Sequence, residues 1–145
     1  MEAILFIGIQ ATGKSTFYKT HFADTHIRIN LDMLKTRHRE KKLFECCLEI
    51  QQPFVLDNTN LGRQDRQRYI PTIQQYGVAL HGYYFASHLQ ETLDRNAQRG
   101  PQAIPEKGIL GSYKRLELPS YDEGFTKLYS VNLSDEIFEI SEWER

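Results

Sequence analysis

Gly8-Ile9-Gln10-Ala11-Thr12-Gly13-Lys14-Ser15-Thr16 decides the reading of this 145-residue chain. These residues fit GxxxxGK[ST], a loop that turns backbone N–H groups inward around an anion, and Gly8 and Gly13 supply the conformations such a turn demands. At average glycine usage a chance match in a chain of this length has a probability of roughly half a per cent. The flanks agree with the motif. Residues 3–7 are a continuous apolar run of the kind buried on both faces of a parallel sheet, and a helical pattern covers about 13–23. Strand, loop and helix in that order aim the positive end of the helix at the phosphates. Lys14 is then expected to reach the β- and γ-phosphates and Ser15 to ligate Mg2+, with Ala11, Thr12 and Thr16 completing the nucleotide-binding loop.

Beyond the loop, strands and helices alternate. Short apolar strands are expected at 27–29, 54–56 and 78–85, with late strands at 128–131 and 137–140. Helices are expected over about 39–52, stopped by Pro53, and over about 63–76, kinked at Pro71 and ended by Gly77. A polar helix covers 88–99, Gly100 and Pro101 interrupt it, and Pro105 opens another. The pattern predicts an α/β P-loop kinase fold: a mostly parallel sheet, helices on both faces, and a small helical lid at about 95–110. No repeat or long linker divides the chain, so residues 1–145 read as one domain.

Composition narrows the class. With 40% hydrophobic and 26% charged residues the chain can bury a core, and its longest apolar stretch is far short of the ~20 residues that span a bilayer. No signal-like n-region precedes that stretch, so a cytoplasmic protein without membrane contact is expected. Cys46 and Cys47 are adjacent and lack metal-site company, which reads as buried or idle thiols. Residues 1–120 carry a net +4 and the acidic segment 121–145 a net −5. Lys35, Arg37, His38, Arg39, Lys41 and Lys42 form the densest basic stretch, either a solvated helix face or a contact for phosphates. Any nucleic-acid contact should be local, because no domain-wide basic excess exists.

Four further features can carry chemistry. Asp32 follows the second strand, where strand ends face the nucleotide; it is either a base for an attacking hydroxyl or a helix cap. Asp57 ends the strand 54–56 and opens Asp57-Asn58-Thr59-Asn60, where an acid can hold Mg2+ or its waters and the amides and hydroxyl can position phosphate and substrate; a simple polar turn is the alternative. Arg95 and Arg99 lie one turn apart. Glu91 can pair with Arg95, whereas Arg99 lacks an acidic neighbour, so the two are either solvated or resolved by a polyphosphate. Tyr83, Tyr84 and Phe85 read chiefly as core and interface residues with base stacking as the lesser reading, and neither His81 nor His88 has metal-site company. No guanine-specifying Asn/Thr-Lys-x-Asp segment occurs, so a compact kinase that closes a lid over ATP is the most economical reading.

Together the phosphate loop, Asp32, Asp57-Asn58-Thr59-Asn60 and Arg95-Asn96-Ala97-Gln98-Arg99-Gly100 resemble the kinase domain of the polynucleotide 5′-hydroxyl kinase family, over roughly residues 1–130. Ala103-Ile104-Pro105 is similar to the lid of the phage enzyme, and Asp57-Asn58-Thr59-Asn60 and Glu123-Gly124-Phe125 are similar to the eukaryotic enzymes. The resemblance implies an ATP- and Mg2+-dependent kinase in which Asp32 is the general base for the 5′-hydroxyl, Arg95 and Arg99 grip the ATP phosphates from the lid, and Asp57 belongs to the active site. Lys35 stands where phage-type enzymes carry an arginine that holds substrate phosphate. No Asp-x-Asp pair occurs, so the 3′-phosphatase domain of the bifunctional enzymes is not expected. The expected activity is transfer of the γ-phosphate of ATP to a DNA or RNA 5′ end. The alternatives are a small-molecule alcohol kinase and an ATP-binding regulatory module with little turnover. No obligate protein partner is implied.

Overall fold

The computed structural model describes residues 1–144, and its architecture follows from one buried strand. Strand β1 (Glu2–Ile7) is wholly inaccessible from Ala3 onward, so it has a covered sheet face on either side. Alternation divides its side chains. Ala3, Leu5 and Ile7 join one core cluster, and Ile4 and Phe6 join the other. Helix α1 (Lys14–His21) covers the second face through Phe17. Next come β2 (Ile27–Ile29), the one-turn helix α2 (Leu31–Leu34) and α3 (Arg37–Ile50), which covers the first face through Phe44, Cys47 and Leu48. Burial pushes the Cys47 thiol up to about 11, an idle thiol as expected.

After β3 (Phe54–Leu56), the single kinked helix expected over 63–76 is instead two short ones, α4 (Arg63–Arg66) and α5 (Ile70–Gln75). Pro71 is the reason. It sits in the first turn of α5, where a missing N–H costs nothing, so it starts a helix rather than bending one. Strand β4 (Ala79–Phe85), lid helices α6 (Leu89–Ala97) and α7 (Glu106–Arg115), β5 (Lys127–Ser134) and β6 (Ile137–Glu142) complete the chain.

The sheet runs β2-β3-β1-β4-β5-β6, parallel through β5, with β6 antiparallel across a two-residue turn at Asp135 and Glu136. Both turn residues have positive φ, as the tightest hairpins require. Tyr83 stacks on Tyr129 at 5.0 Å between centroids and Tyr84 meets Trp143 edge-on at 5.3 Å, so the aromatic strand is spent on packing. A third cluster, Ile9, Leu61 and Ile109, seats the lid on the phosphate loop. Among the described residues no helix is long and apolar enough to cross a membrane.

Candidate active site

The phosphate loop leaves β1 at the centre of the sheet. Gly8 N–H donates to Thr59 O (2.9 Å), which ties the loop to the segment after β3, and a Cβ on Gly8 would come within 3.0 Å of the Phe85 Cβ. Gly13 caps α1 at φ 94°, where a side chain would strike Phe138 of β6 at 2.9 Å. Thr12 is buried and turns its hydroxyl onto Ile9 O (2.9 Å), so it shapes the loop from within. Thr16 is exposed, with its carbonyl accepting from the Thr20 hydroxyl.

Lys14 curls over the loop and donates to Gly8 O (2.8 Å) and Ile9 O (2.6 Å). Desolvation pulls its ammonium down to about 8 against the attraction of Asp57, and the nearby Arg99 charge lowers it further. Lys14 and Arg99, close enough for each charge to be felt by the other at the loop, make a site short of negative charge. Arg95 does not pair with Glu91. Its guanidinium donates to Ala11 O (2.7 Å), so the lid helix is latched to the loop directly. Beyond it, Asn96 makes a reciprocal pair with Ile104, donating to its carbonyl (2.7 Å) and accepting from its N–H (2.8 Å), which closes the Gly100 turn on α6. A cleft of about 200 Å³ opens beside the loop between α6 and the end of β5, lined by His88, Glu91, Arg95, Asn132 and Ser134.

The C-terminal ends of β2 and β3 are braced together. Asp57 N–H donates to Ile29 O (2.8 Å), Asn30 Nδ2 to Asp57 O (2.6 Å), and Leu31 N–H to Asn58 Oδ1 (2.9 Å). Asn30 also caps α2, its Oδ1 accepting from Met33 N–H (2.9 Å), which takes the capping role away from Asp32. Asp32 is not the cap. Its carboxylate is exposed and makes no hydrogen bond or ion pair with any described residue. Lys35, also exposed, closes α2 at φ 77°.

Asp57 is buried, 2% exposed, and Arg28 Nε donates to its Oδ2 (2.7 Å) while Arg28 Nη2 donates to Ser15 Oγ (3.0 Å). Ser15 and Asp57, from different elements, thus sit on one cation. A hydroxyl and a carboxylate so placed suit Mg2+, which takes one or two protein oxygens and fills its remaining positions with water and phosphate.

The other amides of the Asp57 segment are not free for substrate. Asn60 is buried at positive φ and donates to Phe6 O (2.8 Å), and the Asn58 amide donates to Glu40 Oε2 (2.8 Å). In this structure both amides join elements of the fold, whereas substrate contacts were expected of them. Thr59 contributes its carbonyl to Gly8. Glu40, buried inside the basic stretch, also accepts from Arg37 (2.7 Å) and from Tyr69 OH (3.0 Å), whose phenol is pushed up to about 12 by burial and this carboxylate.

Arg28, Asn30 and Glu40 were not among the expected site residues. One signal was present: a charged residue between two isoleucines in Ile27-Arg28-Ile29 places Arg28 on the opposite sheet face from its neighbours.

Comparison with known proteins agrees with this architecture. The bifunctional polynucleotide phosphatase/kinase of Schizosaccharomyces pombe is 25% identical over 135 residues, covering 90% of this chain, which spans 33% of that relative's length. The solved gluconokinase of Sinorhizobium meliloti 1021 superposes with a TM-score of 0.66 at 17% identity, covering 92% of this chain and 83% of that one. Chaetomium thermophilum Kti12 in complex with ADP-AlF3 gives 0.68 at 12% identity, covering 92% and 90%. The APS kinase of Mycobacterium tuberculosis in complex with AMPPNP and APS gives 0.56 at 12%, covering 90% and 87%. A family model described as AAA domain, AAA_33, matches residues 4–119, from within β1 to beyond α7. The chain belongs to this AAA_33 family of AAA domains, and its architecture is that of a P-loop kinase.

Proposed function

We propose that the protein is an ATP- and Mg2+-dependent kinase that phosphorylates the 5′-hydroxyl of a polynucleotide. The observation that carries this reading is Asp32: an exposed carboxylate on α2, the turn of helix that follows β2, relieved of capping by Asn30. A carboxylate so placed can orient an attacking hydroxyl and accept its proton as the phosphoryl group arrives. The cation-rich phosphate loop supports a polyphosphate donor, and the cleft beside α6 suits its base. Mg2+ would be held through Ser15 and Asp57, where it supplies charge for the transferring phosphoryl oxygens.

A nucleic-acid acceptor is supported by two features. The polynucleotide phosphatase/kinase likeness extends over 90% of this chain. Lys35, His38, Lys41 and Lys42 are solvent-exposed on the same stretch as Asp32, whereas Arg37 is paired with Glu40 and Arg39 donates to Leu34 O. An open basic margin suits a strand that extends past its reacting end better than it suits a small alcohol.

The test is incubation with γ-labelled ATP and Mg2+ against 5′-hydroxyl DNA and RNA oligonucleotides, with gluconate and other small alcohols beside them. Label on the oligonucleotides is expected, and Lys35→Ala should raise their KM and flatten its salt dependence. Label on the small alcohols alone would overturn the acceptor assignment.

A further inference from the structure

Arg28 is unexplained by the activity above. It lies on the edge strand β2, its side chain is 28% exposed, and it bonds the two oxygen donors that a divalent cation would need. We propose that Arg28 is a positioning residue that stands in for the divalent cation, holding Ser15 and Asp57 together until a nucleotide arrives with its metal.

The argument is electrostatic. A carboxylate as buried as that of Asp57 requires a cation, because an uncompensated buried charge costs far more than a surface one. Lys14 attracts Asp57 from a distance but makes no ion pair with it, its ammonium donating to the Gly8 and Ile9 carbonyls. Arg28 alone pairs with Asp57 among the described residues, and its planar fork spans the carboxylate and the hydroxyl together. The Ser15 oxygen accepts from the guanidinium with a lone pair that would otherwise face a metal ion. A divalent cation arriving without nucleotide would meet Arg28, Lys14 and Arg99 without any new negative charge. Polyphosphate reverses that balance and leaves the guanidinium free to swing toward solvent, which its partial exposure permits. Arg28 therefore disfavours bare metal and favours metal carried by nucleotide. This rests on the proposal that the loop binds a Mg2+-nucleotide.

The test measures metal binding, not turnover. Mn2+ uptake by nucleotide-free protein, followed by loss of the free-ion EPR signal, should be at least about tenfold tighter in Arg28→Met than in wild type, the order of one charge-assisted bond. Adding Asp57→Asn to Arg28→Met should abolish the gain, and ADP should narrow the gap between Arg28→Met and wild type. Arg28→Met that takes up Mn2+ no more tightly than wild type would overturn the proposal. Should that variant fail to fold, the wild-type protein still decides: the Arg28 Nε–H resonance should hold its position with Mg2+ alone and move with Mg2+ plus ADP. A shift with Mg2+ alone, or none with both, refutes the stand-in role. Failure of ADP to bind at all would refute the nucleotide site instead, and leaves the metal comparison standing.

Discussion

The depressed ammonium of Lys14 makes nucleotide affinity depend on pH in a calculable way. In the free protein burial brings Lys14 to about 8, from 10.5 in an unfolded chain. Phosphates placed against it should restore the charged form and carry the bound-state value back toward or past the ordinary one. Below pH 8 the lysine is already protonated and affinity should be flat. Above it, each binding event must take up a proton, so Kd should rise by up to tenfold per pH unit. Over the interval from about 8 to 10.5 the loss amounts to roughly a few hundredfold, since each unit corresponds to about 1.36 kcal/mol. Folding stability should move the opposite way. The unfolded chain binds more protons than the folded one between those two values, so the Lys14 contribution raises stability as pH rises through the same window. The opposed slopes separate this effect from alkaline unfolding. Calorimetry of ADP binding in buffers of different ionisation enthalpy should show about half a proton taken up at pH 8 and almost none at pH 6.5. Tyr69 and Tyr83 stay out of the window, both held near 12 by burial. An affinity that is level from pH 7.5 to 9.5, or a Lys14→Met protein with the wild-type slope, would refute the reasoning.

Three other outcomes follow from the same geometry. Asp32→Asn should lower kcat by roughly 10²-fold or more, with ADP affinity and melting temperature unchanged because Asn30 caps α2; a purely structural loss would show in the melting curve instead. Arg99→Ala should lower kcat more than it raises the KM for ATP, with Arg99→Lys restoring part of the loss, and should move the Lys14 break point slightly upward, because burial remains the main cause of its depression and only the smaller contribution of the Arg99 charge is gone. Glu123→Gln should cost about 3–5 kcal/mol in denaturant unfolding, since it leaves the fully buried Arg66, bonded to both Glu123 oxygens at 2.7 and 3.2 Å, without its counter-charge; replacement of both residues by apolar ones should recover much of that loss, and a Glu123→Gln protein as stable as wild type would show that the pair is not needed.

The parts of the fold legible in the sequence are those whose physics is local. The run 3–7 and the loop after it specify strand, turn and helix within consecutive residues, so β1 and α1 emerge at their expected places. Pro71 was legible as a break but not as part of a helix start, because the difference depends on whether residues 67–69 continue α4 or turn, and they turn. Strand order was not legible at all. Nothing in β2 or β3 announces that they pair with each other at the sheet edge, and that β3 then pairs with β1; this arises from crossovers that exist only once the helices pack.

The site divides in the same manner. Lys14 and Ser15 belong to a contiguous motif, whereas the partners that set their chemistry come from elsewhere: Arg28 acts on Asp57 across 29 positions of sequence and Arg95 on Ala11 across 84. Asp32 shows what such a contact decides. As sequence, the carboxylate could cap the helix or serve a hydroxyl, and the helix-start rules favour neither. The structure assigns the cap to Asn30, whose side chain has a donor and an acceptor and so can brace Asp57 O while it receives Met33 N–H. An aspartate at position 30 could make only the second bond, as it has no donor to offer the carbonyl. Position 30 thus calls for an amide where position 32 can be a free carboxylate, and the division of labour between Asn30 and Asp32 follows from a hydrogen-bond inventory that spacing alone does not contain.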